Sequence, residues 1–384
     1  MQSPARRAHI ADVQVLRALA VGLVIFWHLK TIPGMGPLLP ASVTHWLSGG
    51  AGVDLFFVIS GFVIARSLIP SLENAHQERR RWPTVAAFWV RRLFRLTPSV
   101  WFWLAFILLG ASLTSRPILW QSVETNLWAT LSVVLHYANF RFATHFMVEP
   151  IGTSFPYWSL SLEEQFYFLL PLIILVTQRR WRLTLVLIGI IAVQFLITRN
   201  ILGIMFRSEG LALGVLIALF EASPYHRRWE PKFLKNPYIG LPIIIGLICF
   251  IVMIGSRNAQ DLFGLSSSRS FNLIALGSSI IVLIASFNED YIFPKGKVQT
   301  ILSWLGDRSY ALYLCHIPIF YLSLEVTEWL LPPDMAYQPK GLVAVGIAVP
   351  LMVIASQLNY RYIEQPLTAR GRTIAQRLLH RPNR

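Results

Sequence analysis

The sequence predicts an all-α polytopic integral membrane protein with about ten transmembrane helices in one bundle. Three observations carry that prediction. The 384-residue chain is 54% hydrophobic and 14% charged, with a mean hydropathy of +0.53, outside the balance of soluble domains. Apolar runs of membrane-spanning length recur along the whole chain and leave little room for a soluble domain. Positive charge collects on every second loop between those runs, the pattern that orients membrane helices.

The runs fall near 12–31, 50–69, 98–113, 157–177, 183–199, 207–221, 238–255, 271–287, 301–323 and 341–362. A weaker stretch around 119–138 carries Glu124, Asn126 and His136 and reads as a re-entrant or interfacial helix. The first run follows Arg6 and Arg7 as a signal peptide would, but Arg17 interrupts it and no small-residue cleavage site follows closely. An uncleaved first span is therefore expected. Basic residues gather at Arg6/Arg7, from Arg79 to Arg95, at Arg179/Arg180/Arg182, at Arg227/Arg228/Lys232/Lys235, at Lys295/Lys297 and in the C-terminal tail. With ten spans these segments share one side, so both termini are expected in the cytoplasm. The organisation is then a cytoplasmic N-terminus (1–11), a transmembrane domain (12–363) and a basic cytoplasmic tail (364–384). The net charge of +15 is not read as nucleic-acid binding, because the arginines flank apolar runs, where lipid headgroups lie. Cys249 and Cys315 fall inside apolar runs and read as small buried hydrophobes, with neither a disulfide nor a metal pair expected.

Within this frame the unusual residues are the ionisable ones inside spans. Arg17 and His28 share the first run. Eleven residues are close to three helical turns, so both side chains point the same way, about 16 Å apart along the axis. The bland reading is an arginine snorkelling to headgroups and an interfacial histidine. The functional reading is a polar path through the protein interior. Asp54, Glu163 and Glu164, Arg207 and Glu209, and His316 fall in the outer parts of four further spans. Acids, bases and an arginine are thus expected at one depth. No Gly-x-Ser-x-Gly elbow, His-Glu-x-x-His, phosphate-cradling loop or cysteine cluster offers other chemistry. The glycines of GGAGVDLFFVISGF suit close helix packing as well as substrate contact. In FWVRRLFRLTP, Arg91, Arg92 and Arg95 are expected on the cytoplasmic face just before the third span. They read either as an anchor on anionic lipid or as a site for a phosphorylated cytosolic donor.

Together these motifs resemble the membrane-bound acyltransferase-3 family, the bacterial O-acyltransferases of surface glycans and some natural products. Arg17 and His28 match the family's R-x10-H pair. GGAGVDLFFVISGF matches its second-helix signature, Arg92/Arg95 its R-x-x-R, and WSLSLEEQF its tryptophan-to-glutamate motif with Glu163 at the principal acid. RSEGLALG matches an arginine-plus-acid helix start, with Glu209 in place of the more usual aspartate. LGDRSYALYLCHIPIF resembles the late Ser-Tyr…His-x-Pro stretch, with Cys315 where tryptophan is common, and YRYIEQPL matches the closing motif. The resemblance runs from about residue 10 to 366.

The resemblance implies an enzyme of the bacterial cytoplasmic (inner) membrane. It would move an acyl group, most often acetyl, from cytosolic acyl-CoA to a hydroxyl of a lipid-linked or exported glycan. Acyl-CoA, with acetyl-CoA foremost, enters as donor substrate; no permanently bound cofactor, no metal and no nucleic-acid partner is expected. His28 is expected as general base and Glu163 as its orienting carboxylate, an acyl-histidine intermediate using the same residues. Arg17, Ser309 and Tyr310 are candidates for oxyanion stabilisation. Arg91, Arg92 and Arg95 are expected to bind the donor; Asp54, Glu164, Arg207, Glu209 and His316 are expected to support the site or the acceptor. Some relatives add a periplasmic hydrolase-like domain. The sequence closes soon after its last span, so such an activity is expected from a separate partner, beside oligomer or glycan-assembly contacts. The rival class is a multi-span transporter or flippase with a buried Arg/His/Glu relay, and a third is a nonenzymatic export scaffold.

Overall fold

The computed structural model describes residues 10–30, 45–77, 80–114 and 117–380. Arg6, Arg7, Arg79 and the last four residues of the expected tail lie outside the described residues. In chain order the main helices are α1 (Ala11–Leu29), α2 (Gly50–Gln77), α3 (Arg81–Leu113), α4 (Val123–Val134), α5 (Ala138–His145), α6 (Trp158–Thr177) and α7 (Arg180–Leu196). They continue with α8 (Glu209–Glu221), α9 (Pro237–Ile254), α10 (Ser267–Ser286), α11 (Lys297–Asp307), α12 (Ser309–Leu330), α13 (Tyr337–Asn359) and α14 (Gln365–His380). No strand occurs among the described residues. Nine helical stretches among them are long and apolar enough to cross a membrane. The tenth expected span is α7, whose 17 residues reach about 25 Å, at the short end for a crossing. The weak stretch at 119–138 is broken into pieces, with α4 only 12 residues long, too short to cross.

Three boundaries differ from expectation, each for a physical reason. The helix that carries the third apolar run begins at Arg81, well before residue 98, and α3 runs unbroken for 33 residues, about 50 Å. Arg91, Arg92 and Arg95 depress the local hydropathy, yet Arg, Leu, Ala and Phe are all compatible with a helix and Pro83 is tolerated in its first turn. The expected run at 301–323 is divided at Arg308, which caps α11 and lays its guanidinium 3.8 Å from the Trp304 ring centre. The expected tail is a helix: α14 follows α13 through a π-helical turn at Tyr360–Glu364, the sequence of the closing motif. Cys315 is buried as expected, whereas Cys249 lies on the exposed face of α9.

The helices gather into two compact units. One takes the chain up to Val24, His45–Ala65 and Glu209–Ser309; the other takes Ile25 onward, Arg66–Ser208 and the chain from Tyr310. In the first, α2 and α8 cross with their backbones in contact. A Cβ on Gly61 would lie 2.1 Å from the Leu211 carbonyl oxygen, and one on Gly214 would lie 2.2 Å from that of Val58. Without water to drive apolar surfaces together, such close approach is how membrane helices gain dispersion energy. At the start of α1, buried Asp12 accepts the backbone N–H groups of Tyr291 (3.0 Å) and Ile292 (3.3 Å). His226 stacks on Phe287 nearby, with ring centres 4.1 Å apart, and shares a 2.9 Å hydrogen bond with Ser286.

In the second unit α3 packs on α6 and α14. Trp89 stacks on Phe168 at 5.0 Å. Its indole N–H donates to the Tyr167 carbonyl at 3.3 Å. That carbonyl is available because Pro171, four residues on, has no N–H to give it. Along α14, Gly371 rests on Phe94, and Arg80 donates to the Leu379 carbonyl at 2.6 Å. The two helices therefore run antiparallel.

Candidate active site

His28 stands in the last turn of α1, half-buried. Its Nδ1 lies 3.0 Å from Nε2 of His316 on α12. His316 is fully buried, and its other nitrogen, Nδ1, lies 2.6 Å from the Tyr313 carbonyl oxygen. A carbonyl can only accept, so His316 carries its proton on Nδ1 and presents a lone pair at Nε2. His28 then donates from Nδ1, and in a neutral His28 ring the lone pair falls on Nε2, the atom a general base would use. The chain Tyr313 C=O, His316, His28 thus fixes one tautomer. His316, expected only as a supporting residue, holds the ring nitrogen that an orienting carboxylate would hold.

The surroundings of this pair are built from one short segment. Phe155 meets the His28 ring edge-on at 5.4 Å. The Tyr313 hydroxyl donates to the Pro156 carbonyl at 2.5 Å, so the Ser159 hydroxyl, 2.7 Å away, must be donor to it. The Tyr157 hydroxyl donates to the Leu314 carbonyl at 2.7 Å. Pro318 accounts for that last contact: four residues beyond Leu314, it lacks the N–H that would close the helical bond. The proline of the His-x-Pro motif thereby frees an acceptor that seats the Phe155–Tyr157 turn against α12. Phe155, Tyr157, Ser159 and Tyr313 are not distinguishable from ordinary membrane-helix residues in the sequence. The one available signal was that a buried Tyr or Ser hydroxyl must find a partner.

The carboxylates form a second cluster in the same unit. Glu163 accepts a short hydrogen bond from the Tyr167 hydroxyl, one turn along α6. Glu164 lies within electrostatic reach of both Glu163 and Arg92, whose guanidinium is 5.4 Å from the Tyr167 ring centre. The antiparallel register set by Trp89 against Tyr167 and Phe168 explains this: three residues further along α3, Arg92 comes level with Glu164. Arg91, Arg92 and Arg95 therefore stand about three to four turns inside α3, half-buried, not at its start. Tyr310 donates to the Leu96 carbonyl at 2.9 Å and lies within electrostatic reach of Glu163, Glu164 and Glu364. Glu364 is buried on the π-turn, a device often found at functional sites; the sequence marked its motif but not this residue.

The remaining candidates are placed as follows. Arg207 is buried, its guanidinium 4.8 Å from the Trp158 ring centre, and it donates to the Ile204 carbonyl at 3.1 Å. In the other unit, Asp54 and Glu209 are both buried. A Cβ on Gly210 would lie 3.4 Å from the Asp54 carbonyl oxygen, so the first turn of α8, which holds Glu209, meets the turn of α2 that holds Asp54. Arg17 is half-buried, and Ser309 is buried at the start of α12.

Residues 10–360 match a family described as an acyltransferase domain. The chain belongs to the acyltransferase-3 family. It is 29% identical over 392 residues to the O-acetyltransferase OatA of Staphylococcus aureus, covering 94% of this chain and 58% of that protein. It is 26% identical over 386 residues to the peptidoglycan O-acetyltransferase OatA of Listeria monocytogenes, covering 95% of this chain and 57% of that protein. The chain thus spans a little over half the length of these relatives. No solved structure matches it.

Proposed function

We propose that the protein is a membrane O-acetyltransferase that carries an acetyl group from cytosolic acetyl-CoA to a hydroxyl of a cell-surface glycan. The observation that carries this reading is the His316–His28 pair, in which the Tyr313 carbonyl orients His316 and His316 orients His28. His28 takes the proton of the acceptor hydroxyl as its oxygen attacks the thioester carbonyl. The carbon–sulfur bond breaks, and the imidazolium returns the proton to the coenzyme A thiolate. His316 stabilises the imidazolium through the same hydrogen bond, which strengthens when His28 becomes charged.

Arg17 lies three turns nearer the start of α1, the helix that carries His28. Glu163, Glu164 and Arg92 make a polar cluster on the donor's route, and Arg91 and Arg95 supply further cationic contacts along α3. The topology that fits the alternating charge puts both termini in the cytoplasm of a bacterial inner membrane. Peptidoglycan is the first acceptor to test, since the Listeria relative is named for it.

The test is coenzyme A release by purified protein given acetyl-CoA and a glycan acceptor, with mass spectrometry of the product. Acetylated glycan from wild type but not from His28→Ala supports the reading. A protein that neither releases coenzyme A nor acetylates glycan overturns it and returns attention to transport.

A further inference from the structure

At the end of the second unit where α2 and α6 finish and α3 begins, a cavity of about 220 Å³ opens between the helix ends. It is small for a whole metabolite site, and suits one end of an extended ligand. Leu72, Ile174 and Leu175 form an apolar wall, while Glu73, Arg81 and Gln178 bring polar groups to it. Glu73 is already engaged, holding Arg180 through two bonds of 2.7 and 2.8 Å, so its charge is neutralised. Arg81, half-buried, touches His76 Nε2 at 3.1 Å, a contact that occupies only one of its five N–H donors. Arg179 and Arg182 are exposed at the same end of α6 and α7. An apolar slot with amide and carboxylate edges beside an arginine suits a flat heterocycle carrying a phosphate.

Resting on the donor reading above, we propose that this cavity holds the nucleotide end of the donor, with Arg81 on its ribose phosphate. Length supports the assignment. From Ile174 at the cavity to Trp158, beside the turn that carries Phe155 against His28, α6 advances sixteen residues, about 24 Å. A pantetheine arm is equivalent to about four residues of extended chain, roughly 14 Å, and the diphosphate and ribose add about 10 Å. One donor molecule is therefore long enough to span the axial distance from the cavity to the level of the Phe155 turn beside His28.

The experiment is binding of coenzyme A and of dephospho-coenzyme A, which lacks the ribose phosphate, to purified full-length protein in neutral detergent. Wild type should prefer coenzyme A by about tenfold, the worth of one charge-assisted contact. Arg81→Gln should bind the two equally, and Arg81→Lys should keep most of the preference, which separates lost charge from misfolding. A preference unchanged in Arg81→Gln overturns this site alone. Failure of wild type to bind coenzyme A at all overturns the donor reading with it. A phosphate of lipid origin is the remaining source: if phosphatidylglycerol displaces coenzyme A from wild type but not from Arg81→Gln, the cavity is a lipid-headgroup site and the nucleotide assignment falls.

Discussion

Replacing His316 by Leu removes the acceptor that holds His28 Nδ1–H while keeping the site filled. The ground state loses a neutral hydrogen bond, which contributes about 0.5–1.5 kcal/mol, whereas the transition state loses one to an imidazolium, which contributes about 1.5–3 kcal/mol. The difference, about 1–2 kcal/mol, falls on the barrier and lowers kcat about 5- to 30-fold. Release of the tautomer adds to it, since a base that presents N–H to its acceptor is inactive; in a serine-protease triad a wrong tautomer costs roughly 10⁴-fold. His316→Leu should therefore reduce kcat by more than about 10-fold, with the KM for acetyl-CoA unchanged. His316→Gln should recover part of the loss, because its amide oxygen can accept from His28. The assay is initial-rate coenzyme A release from purified protein at saturating donor, with protein levels matched. A His316→Leu kcat within threefold of wild type, or a change confined to KM, would refute the tautomer argument.

Four further outcomes are expected. Pro318→Ala restores an N–H that competes with Tyr157 for the Leu314 carbonyl, so transfer activity should fall while thermal stability in detergent holds or rises; equal activity would separate the His-x-Pro motif from the site. Gly61→Ala drives a Cβ to 2.1 Å from the Leu211 oxygen and should destabilise the protein by about 1–3 kcal/mol, read as a lower Tm; an unchanged Tm would rule out the backbone crossing. Burial and the neighbouring Arg227 hold the His226 imidazole below its ordinary value of 6.5, against the pull of Glu230. The folded state therefore binds fewer protons than the unfolded chain there, and stability should be full above pH 6.5 and decline below it. His226→Phe should flatten that decline, and an identical Tm–pH slope in the two proteins would count against it. A reporter fused after Arg384 should be active only in the cytoplasm, and activity only on the outer side would sink the ten-span orientation.

Most helices were legible because their signal is local: a run of apolar residues needs no partner to be recognised. The errors trace to residues whose meaning depends on a neighbour. Arg91, Arg92 and Arg95 read as a surface segment because averaging hydropathy cannot register that the three are half-buried, with Arg92 opposite Glu164 and Tyr167 on α6. The expected tail at 364–384 is helical over Gln365–His380, and its polar composition conceals the face that packs on Phe94. Arg17, His28, Glu163 and His316 were legible as candidates, since an ionisable group in a span needs a reason. Their partners were not: His28 and His316 are 288 positions apart, and nothing in the residues between states that they meet. Tyr313 and Tyr157 had no sequence signal beyond a hydroxyl in need of an acceptor, and the acceptors turned out to be backbone carbonyls, one of them released by Pro318.

The choice of a second histidine to hold the base has its own logic in a bilayer. A carboxylate in that position carries a standing charge that must be desolvated whether or not the reaction is under way. An imidazole pair carries none while both rings are neutral. The tautomer is set instead by the Tyr313 carbonyl, a dipole that α12 supplies without an ionised group. In the proposed reaction charge builds at the pair as His28 takes the acceptor's proton, which is when the His316 lone pair is most strongly engaged. The stabilisation is thereby concentrated in the transition state, where it accelerates the reaction, and is small in the resting protein, where it would not. The carboxylates sit where they can be compensated, Glu163 by the Tyr167 hydroxyl and Glu164 by Arg92. In the proposed mechanism acid–base chemistry and fixed charge thus fall to different residues, with the Phe155 ring edge-on against His28.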